Sequence, residues 1–148
     1  ATGHSSPSES LLMAQASHDM GFKKCIITHP NTLIWKMTPS QVEKAASLGA
    51  WIEFCYLGRF WGEDSAMPDY PRQSLQEATM ILRVAPERTF ITTDLGQVGM
   101  PRPVEGMRLA RNELLKAGFD SSSLSSMLCS IPSYLIGLDK HMPRRLYG

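Results

Sequence analysis

Lys24-Cys25-Ile26-Ile27-Thr28-His29-Pro30 is a short apolar run cut off by a histidine and a proline. Runs of this length, rich in β-branched residues, suit a buried strand. Proline at position 30 cannot continue a sheet ladder, so the run ends there. The next element starts at once. Thr38-Pro39-Ser40-Gln41 reads as a helix start, with Thr38 as cap, Pro39 at the first helical position and Gln41 closing a capping box. Val42, Ala45 and Ala46 give that helix an apolar stripe, and Gly49 ends it.

The same alternation extends in both directions. Upstream, residues 1–4 read as the end of a strand. Ser6-Pro7-Ser8-Glu9 opens a helix whose apolar stripe is Met13, Ala16 and Met20, stopped by Gly21. Downstream, Trp51 to Leu57 reads as a strand, followed by a long loop from 58 to 72 and a helix from 73 to 84 with Leu75, Ala78 and Leu82 on one face. Thr89 to Thr93 is the next strand, ending at Asp94. A Gly/Pro loop, 95–103, leads to a helix over 104–117 closed by Gly118. Asp120 caps a helix through Cys129, and a last helical turn spans 134–138. The pattern makes about four βα units, which points to an α/β fold with a parallel sheet and right-handed crossovers. The periodicity alone is equally compatible with an open sheet and with half of an eight-fold barrel.

Composition excludes several classes. The chain has 148 residues, 43% of them hydrophobic and 20% charged, which is the composition of one globular domain. A net charge of +1, without a basic stripe, argues against nucleic acid. No apolar run reaches the ~20 residues of a membrane span. Cys25, Cys55 and Cys129 are odd in number and widely spaced, so we expect reduced thiols and a cytoplasmic setting rather than a disulfide framework. The opening Ala1-Thr2-Gly3-His4 reads as the start of a fragment.

Three strand ends carry a residue suited to metal: Gly3-His4, Thr28-His29 and Thr93-Asp94. In α/β folds ligands bind at the carboxyl ends of the strands, where the βα loops converge. Two imidazoles and a carboxylate suit a divalent ion, zinc first, at ~2.0–2.2 Å. If His29 faces the site, strand periodicity puts Ile27 and Cys25 on the same side; if Asp94 does, so do Thr92 and Phe90. In the third strand Ile52, Phe54 and Tyr56 suit the helix-facing side, leaving Trp51, Glu53 and Cys55 opposite. A Glu53 so placed needs a partner: it is a candidate to contact substrate, and could otherwise bind metal or pair with a lysine or arginine. Arg59 and Trp61 in the long loop, and Gln97 in the loop after Asp94, are candidates to touch a small-molecule substrate.

Thr2-Gly3-His4, Ile27-Thr28-His29-Pro30, Thr92-Thr93-Asp94 and the closing Ile131-Pro132-Ser133-Tyr134-Leu135-Ile136-Gly137-Leu138 together resemble the second half of the amidohydrolase superfamily, in an uncharacterised branch. The resemblance implies the C-terminal half of a TIM (β/α)8 barrel over residues 1–140, with a basic tail over 141–148. It implies a metal-dependent hydrolase acting on an amide, ester or phosphoester. His4 and His29 would be metal ligands, and Asp94 a ligand that also shuttles the proton. Glu53 has no fixed counterpart. The family's His-x-His pair and its bridging Lys or Glu are absent, so the resemblance implies that the full-length protein supplies them. Ile131 and Ser133 depart from the usual Asn and Ala of the closing motif. The rival expectation is a non-catalytic or degenerate barrel homologue that binds or scaffolds. The open edges of a half-barrel would favour a homo-oligomer.

Overall fold

The structure, a computed structural model, describes residues 1–33 and 35–138. It is a small α/β domain built on a three-stranded parallel sheet. Strands β1 (Ile26–Ile27), β2 (Trp51–Cys55) and β3 (Thr89–Thr92) lie side by side in the order β1-β2-β3. Ile27 is paired with Ile52, and Phe54 with Ile91. Helices α1 (Pro7–Asp19), α2 (Pro39–Ser47), α3 (Leu75–Leu82) and α4 (Pro103–Lys116) follow as the sequence suggests, each within a few residues of its expected limits. Ser6, Thr38 and Ser74 each close a complete capping box with the residue three positions on. The starts at Ser6 and Thr38 are local chemistry, which is why they were readable; the box at Ser74 lies one residue past the expected start at 73.

The half-barrel of about four βα units does not form. Residues 1–4 join the sheet edge through one backbone bond, Thr2 N–H to the Ile26 carbonyl at 2.9 Å, and make no strand. Gly3, at φ +65°, turns the chain away before a ladder can develop. The sheet therefore stops at three strands. The helix expected through Cys129 forms and runs on without a break: α5 (Ser121–Ser125) widens into a π-helical segment over Ser126–Ser130 and continues as α6 (Ile131–Leu135). The expected tail over 141–148 lies outside the described residues.

The sheet has two covered faces. Ile27, Ile52, Phe54 and Ile91 face a core completed by Ala14, Val42, Ala45, Ala78, Ile81, Ala110 and Leu114 of α1–α4. Ile26, Trp51 and Phe90 face the other way, where Ile131, Tyr134 and Leu135 of α6 close over them. Lys24 ties this cover down by donating from Nζ to the Tyr134 carbonyl at 2.7 Å and the Leu135 carbonyl at 3.1 Å. The expected stripe of α1 is corrected. Ser10 and Ala14 are its buried residues, while Met13 and Met20 are exposed. Small residues let the helix lie close to the sheet, and hydrophobicity counts alone favoured the methionines. No helix among the described residues is long and apolar enough to cross a membrane.

Candidate functional site

The carboxyl ends of β1 and β2 carry the group of residues with the strongest functional character. His4 reaches it because residues 2 and 3 are laced to β1. Thr28 N–H donates to Thr2 Oγ1 at 3.1 Å, and Gly3 N–H donates to Thr28 Oγ1 at 3.1 Å. The result brings His4 beside His29, with ring centroids 4.9 Å apart. Trp35 stacks on His4 at 4.5 Å and lies 5.7 Å from His29.

His29 is buried, 8% exposed, and its Nδ1 has no hydrogen-bond partner among the described residues. Its backbone sits at φ +28°. Asp94, on the exposed side of the β3 end, also has a positive φ, +51°. Non-glycine residues seldom adopt this region, and such strain clusters where function demands it. Two of the three proposed ligands are thus held in conformations the chain would not choose unaided.

The loop after His29 is pinned by an amide pair. Asn31, 1% exposed, donates from Nδ2 to the Cys55 carbonyl at 2.7 Å and accepts from the Cys55 N–H at 3.0 Å. Gln73, 3% exposed, donates from Nε2 to the Asn31 carbonyl at 3.1 Å. Sequence reading passed over both residues. The available signal was an Asn just past a strand end, a position where a side-chain amide can imitate backbone.

The other sequence candidates fall as follows. Asp94 does not join the histidine pair as a third donor: among the described residues no group of three or more His, Cys, Asp or Glu could hold a metal ion. Its backbone carbonyl accepts from Gln97 Nε2 at 2.9 Å, so Gln97 braces the strained turn. Glu53 lies on the face opposite Ile52 and Phe54, as periodicity predicts, and its partner is the Thr92 hydroxyl, which donates to Oε1 at 3.2 Å. His29 does not share a face with Ile27 and Cys25 in the expected way. Ile27 and Cys25 belong to the helix-facing core, and the chain turns at His29 itself. Phe90 and Thr92 do share a face, as period two requires: Phe90 packs with Trp51 and Ile131, and Thr92 bonds Glu53.

Arg59 is taken up by structure. Its Nε and Nη2 donate to the two Glu113 oxygens at 3.1 Å each, and Nη1 donates to the Gln73 carbonyl. Trp61 is buried, 4% exposed, with Nε1 unpartnered among the described residues, and packs on Tyr70 at 5.0 Å. Cys55 lies beneath it. Burial, together with the negative charges of Asp94 and Glu53, pushes the Cys55 thiol up to about 12. Such a thiol is inert. In a thiol-labelling time course at pH 8, exposed Cys129 is expected to react first and Cys55 only on unfolding. Mass spectrometry of the labelled peptides checks this. Prompt labelling of Cys55 in the folded chain would contradict the packing described.

Residues 1–53 match the model of a family of unknown function (DUF6282). The match takes in His4, His29, Asn31 and Trp35 but stops short of Asp94. No curated protein and no solved structure matches the chain.

Proposed function

We propose that this chain serves a metal-dependent hydrolase of amidohydrolase type, with His4 and His29 as paired imidazole donors. The single observation that carries the reading is the pairing itself. Two histidines distant in sequence meet at 4.9 Å at the carboxyl end of a parallel sheet, one of them with a buried nitrogen that nothing among the described residues satisfies. Buried polar atoms are nearly always partnered, so an orphan at such a place calls for a partner from outside the chain, an ion or a water among them.

The fit to a divalent ion is partial. Two donors are in place and Asp94 is not grouped with them. Zinc takes four ligands, and catalytic sites leave a position to water. Further donors must then come from water, substrate or residues beyond this set. When bound, such an ion lowers the pKa of its water to ~7 and makes hydroxide available at neutral pH. Asp94, an exposed carboxylate on a braced turn, is the chain's candidate to take up the water's proton. The substrate class is a small molecule with an amide, ester or phosphoester bond. The three cysteines form no disulfide, and free thiols favour the reducing cytoplasm.

The lack of a grouped third donor among the described residues favours a second reading, a non-catalytic binding domain. Zinc titration of the 148-residue chain by calorimetry separates the two. His4→Ala and His29→Ala are each expected to weaken zinc binding by more than the roughly 10–100-fold lost when a ligand's supporting partner is removed. Equal zinc binding by the parent chain and both variants would overturn the metal reading.

A further inference from the structure

We propose that Asn31 is the positioning residue of the His4–His29 pair, a role that rests on the metal-binding reading above. Histidines that bind metal are usually oriented by a hydrogen bond at the ring nitrogen that does not touch the ion. Nδ1 of His29 is the nitrogen left to the ion, and among the described residues no hydrogen bond reaches the other ring nitrogen, Nε2. The ring must therefore be oriented through its own backbone and its packing, and Asn31 is what holds that backbone.

The geometry is specific. Strand β1 ends at Ile27, so no ladder fixes the chain beyond it. Asn31 takes over with a side chain that bonds both the N–H and the carbonyl of Cys55, the last residue of β2. A single amide thus copies what a paired strand residue would do. Pro30 alone separates it from His29, and the proline ring locks its own φ. Anchoring residue 31 to β2 leaves His29 little freedom, which is how its φ of +28° persists. Thr32 adds to the clamp: its hydroxyl and its N–H both donate to the His29 carbonyl, each at 3.2 Å.

A second tie runs from Asn31 to the base of the long loop. Gln73 donates to the Asn31 carbonyl, and its Oε1 accepts from Asn31 Nδ2 at 3.4 Å. Gln73 is itself held by its N–H donation to the Gly58 carbonyl at 2.8 Å and by Arg59. Every polar atom of the Asn31 side chain is used within the fold, none on the surface. Asn31 touches no reacting atom in this arrangement. It acts through His29.

The test uses the whole 148-residue chain in three forms: parent, Asn31→Ala, and Leu114→Ala, a core cavity variant on α4, an element that supplies no residue of the site. Zinc binding is measured by calorimetry. Separately, without metal, carbethoxylation of each histidine by diethyl pyrocarbonate is followed by mass spectrometry. Asn31→Ala is expected to bind zinc about 10–100-fold more weakly than the parent chain. It should also expose His29 to modification at a rate approaching that of His4, while Leu114→Ala leaves both readings at the parent level. Unchanged zinc affinity and continued protection of His29 in folded Asn31→Ala would overturn the proposal. So would an equal loss in Leu114→Ala, which would make the effect one of general stability. If Asn31→Ala does not fold, Asn31→Asp keeps the acceptor for the Cys55 N–H, loses the donor to its carbonyl, and is read in the same way. If the parent chain binds no zinc, the metal reading falls, and modification of His29 alone decides whether Asn31 positions it.

Discussion

Trp51→Ala is expected to lower the unfolding free energy by about 3–5 kcal/mol, the range for deleting a large aromatic from a packed core. Trp51 is 1% exposed and sits on the face of β2 that α6 covers. Tyr134 of α6 packs on it at 5.5 Å, and the Arg88 guanidinium lies 4.8 Å above its ring. Its indole N–H donates to the Lys23 carbonyl at 3.1 Å. Truncation would empty the centre of this second, smaller cluster, which among the described residues contains three buried ones. Few neighbours can move into the space, so the cost should fall at the high end. Domains of this kind are stable by only about 5–15 kcal/mol, so the variant should be near its folding limit at room temperature. Urea unfolding followed by circular dichroism measures the change. A loss below about 1 kcal/mol would mean that α6 does not close that face.

Arg59→Ala is expected to cost about 1–3 kcal/mol at neutral pH, between the values for exposed and buried ion pairs. Arg59 is 15% exposed, and its partner Glu113 is 40% exposed. Water can therefore replace part of the guanidinium at Glu113, which holds the cost below that of a fully buried pair. The same variant changes the pH profile. Burial pushes the Glu113 carboxyl up, but hydrogen bonds from Arg59 and Tyr56 outweigh it and hold the group below its ordinary value of 4.5. A carboxyl lowered in the folded state binds fewer protons there than in the unfolded chain. Its stabilisation is thus complete above the ordinary value and is lost as pH falls through the lowered one. The parent chain should lose stability across this acid window, and Arg59→Ala should lose less across the same window because its Glu113 is less lowered. Urea unfolding at a series of pH values between about 3 and 7 reads both effects. Equal stability of the two proteins at pH 7 would refute the structural role given to Arg59.

Local chemistry made much of the chain legible. Capping boxes at Ser6 and Thr38 placed two helix starts to the residue, because a cap needs only neighbours within one turn. The alternation in β2 separated Trp51, Glu53 and Cys55 from Ile52 and Phe54 correctly, since a strand's two faces follow from period two. Reading stopped where a segment's state depends on what lies beside it. Residues 1–4 read as a strand end and form no strand, because only one backbone bond joins them to β1, the other two ties run through threonine hydroxyls, and Gly3 is left-handed.

The candidate site divides in the same way. Sequence alone named His4, His29 and Asp94, since each closes a segment that reads as a strand end. Only tertiary structure decided that the two imidazoles meet and that the carboxylate stays apart from them. It also supplied Asn31 and Gln73, whose bonds to Cys55 and to each other span 24 and 42 positions of chain. The physical reason is range. Helix caps, strand faces and chain breaks are set by residues a few positions apart, whereas the approach of two side chains from different elements is set by how those elements pack. No local pattern encodes that distance.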